Sequence, residues 1–177
     1  MEKNLSYILM LRNSLKDENR NMPLFQNGSA IIVNNNDGKI LLQHRTDRDL
    51  WCVPGGLQEL GETFEQVALR ELTEETGLTA KVEDLNLIGV ISGESRKNSY
   101  PNGDVVYNNT VLYTVNKFEG ELGSNYEEVI DKGNGYFESS KESRGLQFFD
   151  TDNLPENLMD KDLISLYKSL GKIAILS

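Results

Sequence analysis

The chain has little of what staples or anchors a protein. One cysteine, Cys52, stands among 177 residues, so no internal disulfide can form, and the cytoplasm is the expected compartment. One histidine, His44, rules out a histidine-rich metal site, and at a strand end it reads as structural rather than catalytic. No apolar run approaches the ~20 residues that a membrane helix needs. Tyr7 to Leu11 is too short an apolar run for a signal peptide, and no small-residue cleavage pattern follows it. Positive charge is scarce as well: 18 Lys and Arg against 28 Asp and Glu leave a net charge of −10. Such a chain repels a polyanion, so stable nucleic-acid binding is not expected, whereas a small phosphorylated substrate arriving with a divalent cation is compatible. Internal repeats and low-complexity tracts are also missing.

What is present is an ordinary globular composition, 38% hydrophobic and 26% charged, enough for one domain over residues 1–177. The informative stretch runs from Gly56 to Leu78. Thr63 followed by Gln66 forms a capping-box pattern, so a helix is expected from about Thr63, and Gly77 supplies the left-handed position at which it stops. Leu78 can then fold back toward Leu72. Ala68, Leu69, Leu72 and Thr76 make the apolar arc that pins this helix to a core. Glu71, Glu74 and Glu75 stand at i, i+3 and i+4, on one face. Like charges at that spacing repel, so the cluster makes sense once something positive sits among them, and hard oxygen donors suit Mg²⁺ or Mn²⁺. Arg70 lies beside the acids, and Glu62 is placed to pair with it. Ahead of them, Pro54-Gly55-Gly56 makes a turn whose bare backbone can approach an ion or a phosphate.

The run Gly56-x5-Glu62-x7-Arg70-Glu71-Leu72-x-Glu74-Glu75-x-Gly77-Leu78 resembles, without departure, the signature of the Nudix (MutT-like) hydrolases. That resemblance implies an α+β fold, an α/β/α sandwich around a mixed β-sheet, over roughly residues 24–170. It also implies pyrophosphohydrolase activity on a nucleoside diphosphate linked to another moiety, by water attack at phosphorus. Mg²⁺ or Mn²⁺ would be held by Glu71, Glu74 and Glu75, with the carbonyl of Gly55 adding a ligand. Gly56, Glu62, Arg70 and Gly77 become the structural positions of the box. Arg45 stands where the family often carries an arginine that meets substrate phosphate; a salt bridge to Asp47 or Asp49 is the other reading. The box glutamates being committed to metal, the catalytic base is sought in the segment before the closing strand, among Glu127, Glu128, Glu138 and Glu142. Glu142, seven residues before Phe149, is favoured.

Trp51-x-x-Pro54-Gly55-Gly56 and the Phe148-Phe149-Asp150 to Pro155 passage are also typical of the family. Departures occur at Gly93 to Ser95, where neither the proline of ADP-ribose hydrolases nor the tyrosine of dinucleoside polyphosphate hydrolases is found, so the substrate stays open. Two other classes compete. One is a catalytically inactive Nudix-fold nucleotide-binding or regulatory module, against which the intact glutamates count. The other is an isoprenoid diphosphate isomerase, whose cysteine and histidine requirements Cys52 and His44 do not readily meet.

Elsewhere, an N-terminal helical extension is expected within residues 1–20, with Leu5, Ile8, Leu9 and Leu15 on its apolar side; it serves as packing or as a homodimer contact. Phe25 to Val33 and Lys39 to Arg45 read as the arms of a hairpin around Asn34 to Gly38. Lys81 to Ser92 reads as β structure with Leu85, Leu87, Ile88, Val90 and Ile91 in the core. Gly93 to Asp104, with Arg96, Lys97 and Tyr100, is either a substrate-gripping loop or a plain turn. Val105 to Phe118 is a long strand, Leu146 to Phe149 closes the sheet, and residues 157–171 form a C-terminal helix.

Overall fold

The computed structural model describes residues 7–15, 17–19, 21–45, 48–100, 102–122, 129–131, 137–139 and 143–171. The helices are α1 (Tyr7–Ser14), α2 (Phe64–Thr76) and α3 (Lys161–Leu166), the last continued by a wider turn over Tyr167–Gly171. The strands are β1 (Leu24–Val33), β2 (Ile40–Arg45), β3 (Trp51–Cys52), β4 (Gly55–Leu57), β5 (Asn86–Ile91), β6 (Lys97–Ser99), β7 (Val105–Val115), β8 (Val129–Asp131), β9 (Phe137–Ser139) and β10 (Ser143–Phe149). A mixed sheet runs β4-β1-β7-β5, with β6 on the edge of β7; only β1 and β7 are parallel within it. A second sheet runs β10-β2-β3, and β8 pairs with β9.

Both faces of the sheets are covered, which is why β1 is apolar without a break at its C-terminal end. Ala30, Ile32 and Leu112 pack with Leu163, Ile164 and Tyr167 of α3 on one face. Ile31, Val33 and Tyr113 pack with Ala68 and Leu72 of α2 on the other, and Leu78 joins that cluster. This is the α/β/α sandwich. Among the described residues no helix is long and apolar enough to cross a membrane.

Three expectations are corrected. β1 and β2 meet only at the Asn34–Ile40 bridge and then diverge. Full-length parallel pairing to β7 occupies one edge of β1 and β4 occupies part of the other, while β2 lies between β10 and β3. Leu87 and Val90 are 64% and 60% exposed, whereas Ile88 and Ile91 pack on the core. A register shift between Leu87 and Gly89 breaks the alternation, and β5 is an edge strand. The last helix starts at Lys161 rather than at 157, because Leu158 bridges to Trp51, whose N–H donates to the Asn157 carbonyl and whose carbonyl accepts from Met159 N–H.

Candidate functional site

The caps of α2 are those its sequence asks for. Thr63 accepts from the Gln66 backbone N–H, Gln66 Oε1 accepts from Thr63 N–H at 2.7 Å, and Gly77 closes the helix at φ 75°. Ser29 Oγ donates to the Phe64 carbonyl at 2.7 Å, tying β1 to the first turn. With its position set at both ends, α2 directs Glu71 and Glu75 inward, where both are buried, and leaves Glu74 at the rim with its side chain 37% exposed.

Glycine backbone makes room for these carboxylates. A Cβ on Gly56 would fall 2.0 Å from Glu71 Oε1, and one on Gly28 would fall 2.3 Å from the Gly56 carbonyl oxygen. Gly55 N–H donates to Glu75 Oε2 at 2.7 Å. The β1–β4 pairing, which sets Gly55 opposite Ala30 and Gly56 opposite Ser29, is thus close enough to put main chain against both acids.

Arg70 organises the rest. Its Nε and Nη2 donate to the two oxygens of Glu62 at 2.7 and 3.0 Å, Nη1 donates to Glu71 at 2.6 Å and Glu74 at 3.2 Å, and Nη2 also reaches the Leu57 carbonyl at 2.9 Å. A guanidinium has five N–H groups, and these bonds employ all of them. Hydrogen bonding to Arg70 holds the Glu62 carboxyl below its ordinary range, and the bonds from Glu62 push the guanidinium further toward its charged form. The expected Glu62–Arg70 pair is present, and it ties the loop before α2 to the helix.

Glu71 and Glu75 line a cleft of about 470 Å³, and so do Arg45, Arg48, Arg70, Arg96 and Asp160. Arg96 donates to both oxygens of Asp162 at 3.1 Å and to Thr110 Oγ1 at 3.3 Å, and lies 3.9 Å from Asp160. Asp160 accepts from Val53 N–H at 3.2 Å, and burial pushes its carboxyl up to about 6, against the charge of Arg96. Carboxylates and guanidiniums therefore line the same cleft, a donor set able to meet both a cation and phosphate oxygens. The 93–104 segment folds as a turn, β6 and a second turn, and it still delivers Arg96 and Tyr100 to the cleft.

His44 is stacked on Trp51 with ring centroids 4.8 Å apart, and its Nε2 lies 2.9 Å from Asp49. Glu142, Glu127 and Glu128 lie outside the described residues, as does Asp47; Glu138 falls on β9. Asp160 was missed in the sequence, because a helix drawn from 157 hides it; an aspartate three residues before the periodic Leu163-Ile164-Tyr167 run was the signal.

The donor set fits a hard divalent cation. It is all oxygen, it is partly buried, and the glycine backbone beside it leaves the space a side chain would fill. Among the described residues no three His, Cys, Asp or Glu side chains form a ready ligand cluster, and Arg70 supplies the positive charge beside Glu71 and Glu74.

The family profile described as NUDIX domain matches residues 24–168, and the chain belongs to the Nudix family. It is 32% identical over 131 residues to an ADP-ribose pyrophosphatase of Methanocaldococcus jannaschii, across 72% of this chain and 64% of that one. The chain thus spans less than two thirds of that relative's length. Among solved structures it is similar to a MutT NUDIX hydrolase of Burkholderia pseudomallei, with a TM-score of 0.60, 23% identity, and coverage of 80% of this chain and 95% of that one. It is also similar to a MutT protein of Bacillus halodurans, with a TM-score of 0.58, 25% identity, and coverage of 81% and 80%.

Proposed function

We propose that this chain hydrolyses a phosphoanhydride bond in a nucleoside diphosphate linked to another moiety, with Mg²⁺ or Mn²⁺ as cofactor. The observation that carries the reading is the pair of buried carboxylates, Glu71 and Glu75, in a cleft that arginines also line. Glu71, Glu74, Glu75 and the carbonyl of Gly55 would hold the cation, which when bound neutralises diphosphate charge and activates the attacking water. Arg45 and Arg96, which line the same cleft, bind and orient the phosphates, fixing phosphorus for in-line attack. Arg70, with all its donors engaged, keeps the Glu62 loop and Glu71 in place. Glu142, the residue immediately before Ser143 in the sequence, is the proposed proton acceptor, and Glu142→Gln should lower kcat about 10²- to 10⁴-fold with metal affinity kept.

The substrate proposed is a free nucleotide derivative, and the relative named as an ADP-ribose pyrophosphatase makes ADP-ribose a reasonable first member of a panel. Nucleoside triphosphates, nucleotide sugars, dinucleoside polyphosphates and capped RNA ends complete it, with products identified by mass and by phosphorus NMR. Cleavage of a free nucleotide that stops on chelation is the expected result. Exclusive action on RNA ends would overturn the substrate class. Binding without cleavage of any panel member in Mg²⁺ and Mn²⁺ would favour the regulatory module.

A further inference from the structure

Helix α1 precedes the residues that the family profile matches, yet it is fastened to the sheet beside the cleft. Arg12 is 4% exposed; it donates to the carbonyls of Met22 at 2.8 Å and Val105 at 3.2 Å, and its Nε lies 3.4 Å from Asp104. Tyr7 N–H points to Glu59 Oε2 at 3.4 Å, so the other end of the helix reaches the box loop. Between α1 and the sheet lies a second cavity of about 170 Å³. Gln26, Leu57 and Tyr100 line both this cavity and the cleft, so the two adjoin.

From this we infer that the α1 cavity is a subsite for a nucleobase-sized heterocycle at one end of the substrate. Its volume is close to that of an engineered cavity of about 150 Å³ that takes up benzene, so it suits one flat ring and not a diphosphate chain. Ile8, Leu9, Leu57 and Val106 give it apolar walls. The charged groups at its end, Arg12 and Asp104, face each other, so a phosphate would meet no net positive charge there, while a neutral ring suffers no such penalty. Gln26 is 8% exposed, and its carboxamide makes no hydrogen bond to any described residue. A carboxamide presents a donor and an acceptor side by side, which matches the paired donor and acceptor edge of a nucleobase. The inference rests on the cleft being the diphosphate site, and it gives α1 a role in choosing the substrate.

The test separates the two readings by using ligands without phosphate. Adenosine, guanosine, cytidine and uridine are titrated in turn, without metal, into ¹⁵N-labelled wild type, Ile8→Trp and Glu75→Gln, and amide shifts are followed. At least one nucleoside should shift the amides of Leu9, Gln26 and Val106 in wild type and in Glu75→Gln. Ile8→Trp, which fills the cavity from a partly exposed position on α1, should abolish those shifts. In steady-state kinetics on the best panel substrate, Ile8→Trp should raise KM roughly tenfold at unchanged kcat. Shifts confined to the carboxylate cleft, shifts that persist in Ile8→Trp, or no binding of any nucleoside would overturn the inference. Nucleoside binding under α1 in a protein that cleaves nothing would uphold the subsite and count against the hydrolase reading alone.

Discussion

Gly28 shows how much of the site depends on a missing atom. A methyl group there would sit 2.3 Å from the carbonyl oxygen of Gly56, a main-chain atom that cannot rotate away, so β4 would be pushed off β1. Gly28→Ala should cost about 1–3 kcal/mol in denaturant unfolding, as overpacking does, and lower activity because Gly55 and Gly56 move with the strand. An unchanged midpoint would mean the strands are not held this close. Asp160 makes a second residue-scale prediction. Its carboxyl is raised by burial from 3.8 to about 6, so the fold favours the protonated form. The stability this contributes is full below pH 3.8 and is lost as pH rises through about 6. Each tenfold change in proton affinity is worth about 1.4 kcal/mol, so ionising Asp160 costs the fold about 3 kcal/mol. The difference in unfolding free energy between wild type and Asp160→Asn should therefore shift toward the variant between pH 4 and pH 7. A flat difference would place the carboxylate in a better-solvated site than its burial implies. Glu71 and Glu75 were legible from spacing alone, because i, i+4 on a capped helix leaves little freedom. Asp160 was not, since its importance comes from Arg96 and Val53, which only the folded chain brings to it.

At the scale of elements, α2 is the best specified, and the reason is local. Its caps, its apolar stripe and its acidic face all lie within one continuous stretch, and each agrees with the others. Thr63→Ala removes the oxygen that accepts from Gln66 N–H and should destabilise the protein by about 1 kcal/mol, read as a lower Tm with an otherwise similar transition. No change in Tm would mean the capping box is not holding the first turn. The elements that were misjudged are those set by distant partners. The ranges of β1 and β2 were readable, but that β1 pairs with β7 over its whole length is a fact about residues some eighty positions away. The exposure of Leu87 and Val90 depends on a register shift that hydrophobicity does not announce. Residues 157–159 look helical in composition, yet backbone bonds to Trp51 hold them in a turn and a single bridge ahead of the helix.

The whole molecule is a sandwich that lets one helix present acids to a cleft that arginines also line, in a protein whose net charge is −10. Fold and box were legible together because the Nudix signature specifies both, whereas α1, whose Ile8, Leu9 and Arg12 line the second cavity, precedes the residues the family profile matches. Chelation should abolish turnover and leave the fold intact, since Arg70 ties Glu62, Glu71 and Glu74 together through its own hydrogen bonds. Near-UV circular dichroism in EDTA should match that of the untreated protein, and a collapsed spectrum would make the cation a structural requirement instead. The measurement closest to the main proposal titrates Mn²⁺ into wild type and Glu75→Gln, reading free Mn²⁺ by electron paramagnetic resonance and hydrolysis of the best panel substrate in the same samples. Wild type should bind Mn²⁺ and turn over in proportion to the ion bound, while Glu75→Gln should bind it more weakly and lose about a thousandfold in kcat. Wild-type hydrolysis that persists in EDTA, or a Glu75→Gln variant with unaltered Mn²⁺ affinity and turnover, would contradict the assignment of these carboxylates to metal-assisted hydrolysis.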